Sequence, residues 1–142
     1  MFENEVYPGI KQLLRVLTKQ GILCLVATSK PEIYAKKILD YYELSNYFYY
    51  IAGANMDGTR TDKAEVIAYA LKQIPAEYNN KKVLMVGDRS HDIIGAKKNG
   101  IDCAGVLFGY GSSEELEEAG ADFIADSVEA VRNIILLDTA MN

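Results

Sequence analysis

Apolar and polar positions along this chain alternate between helical and strand-like spacing. In Pro8–Gln20 (PGIKQLLRVLTKQ), Ile10, Leu13, Leu14 and Leu17 recur on one helical face, and Gly21 marks the stop. Ile22–Ala27 (ILCLVA) is continuously apolar, the pattern of a strand covered on both faces. Thr28-Ser29-Lys30-Pro31 then opens a second helix, with proline near its first turn, running through Ile33, Ile38 and Leu39 to Tyr42. Phe48–Ala52 is a short aromatic strand. Gly53–Thr61 is a loop around the turn signal Asp57-Gly58, and Thr61 or Asp62 caps a helix through Ile67, Ala70 and Leu71.

The second half repeats the alternation. Val83–Val86 reads as a buried strand ending at Gly87, and the helix after it closes near Asn99-Gly100 with Lys97 and Lys98 in its last turn. Ile101–Phe108 contains a further strand, followed by the glycine-spaced loop Gly109-Tyr110-Gly111. Ser112 or Ser113 caps a helix with Glu114 and Glu115 in its first turn, Asp122–Ala125 is a brief edge strand, and Ser127–Leu137 a closing helix. No internal repeat, linker or low-complexity tract interrupts the series. Strands alternating with helices predict an α/β fold, a three-layer Rossmann-like parallel sheet with right-handed crossovers and helices on both faces. A chain of 142 residues, long enough to bury roughly two-thirds of its unfolded surface, is expected to be a single domain spanning residues 1–142.

Composition narrows the function classes. The chain is 49% hydrophobic and 25% charged with a net charge of −5, and its basic residues are scattered, which argues against a nucleic-acid surface. No apolar run approaches the ~20 residues that cross a bilayer. MFENEVYPG carries neither a basic n-region nor an apolar h-region. The two cysteines, Cys24 and Cys103, fit no metal spacing and lie in apolar runs, as small buried hydrophobes of a reduced cytoplasmic protein do. A disulfide between them is the alternative. His91 is the only histidine, so a histidine-rich metal site is excluded.

Three loops after predicted strands carry the candidate chemistry. Thr28-Ser29 combines hydroxyls with the free N–H groups of a helix start, which makes an anion site; simple capping of that helix explains the same residues. Lys63 stands just inside the start of a helix, where the dipole is already positive. It calls for a compensating anion there, or pairs with Asp62 or Glu65 as a solvated lysine. Asp88 follows an apolar strand and Gly87 at once, and Asp92 comes one helical turn later. Two carboxylates converging at the C-terminal edge of a strand suit a hard divalent cation with oxygen ligands. Helix capping by each aspartate separately is the plainer explanation. Arg89 and His91 lie between them, facing either the pocket or solvent.

In this order, Leu25-Val26-Ala27-Thr28-Ser29-Lys30-Pro31, Thr61-Asp62-Lys63 and Val86-Gly87-Asp88-Arg89-Ser90-His91-Asp92-Ile93-Ile94-Gly95-Ala96 resemble the second, third and fourth motifs of the haloacid dehalogenase superfamily of phosphatases. The phosphoglycolate-phosphatase-like and nucleotidase-like members are the nearest in pattern. Gly105–Gly111 resembles the strand and loop beyond them, so the likeness runs from Tyr7 to Val131. It implies that Thr28 and the backbone of Ser29 bind a transferring phosphoryl group, that Lys63 neutralises charge there, and that Asp88 and Asp92 hold Mg²⁺ directly or through water. The implied substrate is a small phosphorylated metabolite. Phosphoryl transfer is mostly positioning and neutralisation of equatorial oxygens, and these residue types supply both.

The same family opens with a strand ending in Asp-x-Asp, whose first aspartate is the nucleophile and whose second is the general acid/base. No apolar strand in these 142 residues ends that way, and Pro8 is preceded only by MFENEVY. The family's helical cap has no counterpart either. The expectation is therefore a family member without its front part, inactive alone. The alternative is a truncated or pseudo-phosphatase module that binds phosphate and Mg²⁺ without turnover. Loss of the central nucleophile strand would strip backbone partners from its neighbours. That predicts closure of the sheet, self-association, or completion by an N-terminal fragment.

Overall fold

The computed structural model describes residues 8–140, so the segment before Pro8 and the last two residues lie outside the description. The chain forms two compact units, one ending at Ile74 and the next beginning at Pro75. The first holds α1 (Ile10–Lys19), β1 (Leu25–Pro31), α2 (Glu32–Tyr41), β2 (Tyr50–Ala54) and α3 (Lys63–Lys72). The second holds β3 (Leu84–Gly87), α4 (Ser90–Lys98), β4 (Asp102–Val106), α5 (Ser113–Ala119), β5 (Phe123–Ala125) and α6 (Val128–Ala140). Strand order is β1–β2 in the first unit and β3–β4–β5 in the second, and every neighbouring pair is parallel. The parallel α/β class is as the alternation predicted.

In the first unit the strands sort their side chains by the two-residue period of a pleated sheet. Val26 and Ile51 pack with Leu14, Leu39 and Leu44 from α1, α2 and the turn after α2, while Leu25, Ala27, Tyr50 and Ala52 pack with Val66 and Ala70 of α3. Helices therefore cover both faces of this sheet. In the second unit Cys103 of β4 and Met85 of β3 meet Ile93 and Ala96 of α4 and Leu116 of α5. Gly105 lies on that face too, and a Cβ added to it would approach Leu116 Cδ1 to 2.9 Å, so the small residue sets how close α5 sits.

Several expectations need correction. The first strand does not end at Ala27: β1 continues through Thr28, Ser29 and Lys30 to Pro31, and α2 begins only at Glu32. Pro31 takes φ −54°, ψ 136°, an extended conformation, so its fixed φ serves the strand's last residue rather than a first helical turn. The Leu25–Ala27 segment is half-buried instead of covered, and Val86 of β3 is 38% exposed, although both strands read as continuously apolar. Cys103 is buried and Cys24 half-buried, and both are free thiols rather than a disulfide. Among the described residues no helix is long and apolar enough to cross a membrane.

Candidate functional site

In the first unit the candidate groups sit where parallel strands end and helices begin. Thr28, midway along β1 and just past its regularly paired segment Leu25–Ala27, is buried, and its hydroxyl oxygen accepts a hydrogen bond from the Lys30 N–H at 3.2 Å. Among the described residues that hydroxyl donates to nothing, leaving a buried O–H free to donate. Ser29 is exposed. Because both lie in the strand, neither caps α2, and the capping explanation of this pair falls.

Lys63 is the first residue of α3, as its spacing predicted. Asp62 is the N-cap: its carboxylate accepts from the Ala64 N–H at 3.1 Å, and the Glu65 carboxylate reaches back to the Asp62 N–H at 3.2 Å. The reciprocal pair is a capping box, and it occupies the acids nearest to Lys63 in sequence.

The loop that delivers Lys63 is fastened by a residue the sequence reading passed over. Arg60 donates from Nε to the Gly53 carbonyl at 2.8 Å, lies 3.4 Å from Glu32 Oε1, and stacks its guanidinium 3.7 Å from the centre of the Tyr69 ring. The Asn55 N–H closes the loop onto the Arg60 carbonyl at 3.1 Å. Gly53 is confined here, because a Cβ would come within 2.6 Å of the Glu32 Cα. The Tyr69 hydroxyl lies 2.9 Å from that of Tyr50, a hydrogen bond that with burial pushes the Tyr50 phenol up to about 12.

In the second unit Asp88 and Asp92 are both buried, with 6% and 4% of their surfaces exposed. Their roles separate. Asp92, in the first turn of α4, turns Oδ2 onto the backbone, accepting from the Asp88 N–H at 3.0 Å and the Arg89 N–H at 3.2 Å. It thereby caps the helix and shapes the loop before it. Asp88 Oδ2 accepts from the Tyr110 N–H at 3.1 Å, and its carbonyl accepts from the Gly111 N–H at 2.8 Å. Asp88 Oδ1 accepts no hydrogen bond among the described residues. Gly87 and Gly109 make this possible: a Cβ on either would lie 2.3 Å from the Cβ of Asp92 or Asp88, respectively.

Of the two residues between the aspartates, His91 is mostly exposed, with Nε2 3.7 Å from Asp92 Oδ1. Arg89 pairs through Nε with Glu115 Oε2 at 3.0 Å, and the same oxygen accepts from the Ser90 N–H at 2.7 Å. The Ser90 bond first, then Arg89, holds the Glu115 carboxyl below the usual glutamate range, and Glu115 raises Arg89 in turn. Glu115 was assigned only to the first turn of its helix by the sequence; the capping serine there is Ser112, whose hydroxyl accepts from the Glu115 N–H at 3.1 Å.

A hard cation suits this donor set in part. Mg²⁺ is commonly held by one or two carboxylates with water filling the other positions. Asp88 Oδ1 is an open oxygen of that kind, whereas one oxygen of Asp92 is committed to two backbone N–H groups. No cluster of three or more acidic, histidine or cysteine side chains able to hold a metal occurs among the described residues. These residues would suit Mg²⁺ with Asp88 as ligand, water in the other positions and Asp92 orienting the loop, rather than a metal that demands an all-protein cage.

Residues 2–106 match the haloacid dehalogenase-like hydrolase family. A 5'-nucleotidase of Pseudomonas aeruginosa is 38% identical over 137 residues, which cover 95% of this chain and 60% of that protein. The tyrosine-protein kinase PtkA of Mycobacterium tuberculosis is 37% identical over 93% of this chain and 45% of its own length. A phosphoglycolate phosphatase of Pseudomonas fluorescens is 31% identical over 95% of this chain and 48% of its own length. The solved structure of a "predicted phosphatase" from Clostridium acetobutylicum superimposes with a TM-score of 0.85 at 43% identity, covering 94% of this chain and 61% of that one. The chain thus spans about half to three-fifths of the length of the relatives it matches.

Proposed function

The chain belongs to the haloacid dehalogenase-like hydrolases, and on that footing we propose that it is the phosphate- and Mg²⁺-binding portion of a phosphatase acting on a small phosphate monoester. The observation that carries the reading is Thr28: a buried hydroxyl with its proton unspent, directly after the regularly paired segment of a parallel strand, toward the edge where ligands of open α/β sheets bind. A phosphoryl oxygen is an acceptor that such a donor lacks. The exposed Ser29 and the Lys63 ammonium at the start of α3 supply further donors and positive charge in the same unit. In the second unit Asp88 would hold Mg²⁺ and Asp92 would fix the loop that carries it.

Turnover requires a nucleophile, and the 142 residues contain no Asp-x-Asp to supply one. We propose that this group comes from elsewhere than these residues, from another segment or from a second copy of the chain that completes the sheet. The names of the relatives support phosphate esters as the substrate class: one is a 5'-nucleotidase and others are phosphoglycolate phosphatases. The two free thiols support a reducing cytoplasm as its location.

Calorimetric titration with inorganic phosphate in the presence of Mg²⁺ tests the binding half. Binding is expected, and it should be lost in Thr28→Val and Lys63→Met; no binding to the folded wild-type chain would overturn the reading. A panel of phosphate monoesters tests the catalytic half. The chain alone should turn none over, and hydrolysis abolished by Asp88→Asn would show that no outside aspartate is needed.

A further inference from the structure

Arg89 follows Asp88 directly and precedes Asp92 by three residues, so a guanidinium stands beside the two buried acids. Its side chain is 46% exposed, and Glu115 first, with smaller contributions from Asp88 and Asp92, favours its charged form. Arginine matches carboxylates through a planar fork of donors and never loses its proton near neutrality. An unrestrained Arg89 would therefore turn to the open Oδ1 of Asp88 and occupy the oxygen a cation needs. The structure shows what prevents this. Glu115, reaching from α5, takes Arg89 Nε at 3.0 Å. It also accepts from the Ser90 N–H at 2.7 Å, so the carboxylate is pinned to the start of α4 and cannot follow Arg89 elsewhere. The loop on the other side is equally fixed, since the Tyr110 and Gly111 N–H groups hold Asp88 itself.

We infer that Glu115 is a positioning residue of the cation site: it draws the Arg89 guanidinium off Asp88 and neutralises it, leaving the Asp88 carboxylate available to a divalent cation. The inference rests on the reading of Asp88 as the Mg²⁺ ligand. It differs from a packing role in one respect. If Glu115 merely braced α5 against α4, removing Arg89 would not compensate for its loss. If Glu115 restrains a competitor, removing that competitor restores the site.

Mn²⁺ binding to the 142-residue chain, followed by electron paramagnetic resonance and checked with Mg²⁺ by calorimetry, separates these roles. Glu115→Gln keeps an oxygen for the Ser90 N–H but loses the charge that holds Arg89, and should weaken Mn²⁺ about tenfold or more, the scale seen for residues behind metal ligands. Arg89→Gln alone should bind at least as tightly as wild type. The double variant should recover to within about threefold of wild type, the non-additivity expected of two residues in contact. An unchanged Glu115→Gln overturns the inference, and so does a double variant as weak as Glu115→Gln. If Glu115→Gln does not fold, Arg89→Gln decides: weaker binding there overturns it as well. A folded wild-type chain that binds no Mn²⁺ removes the reading of Asp88, and this inference with it; binding in wild type with no effect of the variants removes the inference alone.

Discussion

Asp92 Oδ2 accepts the N–H of Asp88 at 3.0 Å, so one acid of the pair holds the backbone of the other. A second bond from the Arg89 N–H, at 3.2 Å, makes Asp92 the keystone of the turn between β3 and α4. Truncating it leaves two N–H groups in a buried turn without an acceptor. Asp92→Ala should therefore cost about 2–6 kcal/mol, at 1–3 kcal/mol for each unsatisfied buried group. Asp92→Asn keeps an acceptor oxygen and should cost about half as much. Urea denaturation of both variants checks the order. Equal losses would mean that the charge of Asp92, and not its place in the turn, matters most.

The loop beyond β4 closes on Asp88 with no room to spare. A methyl group on Gly109 would lie 2.3 Å from the Asp88 Cβ and 2.4 Å from its Oδ2, so either the loop or the carboxylate must move. Overpacking of this kind typically costs 1–3 kcal/mol, and Gly109→Ala should lower stability by about that amount. It should also weaken Mn²⁺ binding, because the group displaced is the proposed ligand. Stability lost with Mn²⁺ affinity intact would show that the loop gives way and Asp88 does not.

What the sequence disclosed, and what it hid, follows from the range over which residues act. The capping box of Asp62 and Glu65 was readable because its two bonds join residues three apart. Gly87-Asp88 was readable because an apolar run ends there. The end of β1 was misread for a local reason: threonine and serine followed by proline carry the signals of a helix start. Pairing with β2 overrides them, since the ladder resumes at Pro31 opposite Ala54 after an irregularity. The partners of Arg60 and Arg89 could not be read at all. Glu32 is 28 residues from Arg60 and Glu115 is 26 from Arg89, and no local spacing connects such pairs.

Acid should reveal the Glu115 clasp. Its carboxyl is held below the usual glutamate range in the folded chain, chiefly by the Ser90 N–H and then by Arg89. A depressed folded pKa means that the stabilisation is fully present above the unfolded value of about 4.3 and disappears as pH falls through the lower folded value. Wild type should therefore be more stable than Glu115→Gln at neutral pH, and the difference should shrink as the pH is lowered below the ordinary glutamate range. Thermal melts at matched pH values measure it. A difference independent of pH would show that ionisation of Glu115 contributes nothing.

Arg60 offers the corresponding test in the first unit. Its guanidinium stacks on Tyr69 at 3.7 Å and its Nε reaches the Gly53 carbonyl at 2.8 Å, two contacts that a lysine ammonium cannot make together. Arg60→Lys keeps the charge and loses the plane, so it should destabilise the chain by about 1 kcal/mol, within the range for a stacked cation. The local effect should exceed the global one, because this side chain ties the loop that leads into α3. The Asn55 amide, bonded to the Arg60 carbonyl at 3.1 Å, should exchange its hydrogen faster in the variant than amides inside α3 do. Phosphate affinity should fall in parallel, since Lys63 enters the helix three residues after Arg60. An Asn55 amide as protected as in wild type would show that the turn around Asp57, and not Arg60, fixes the loop.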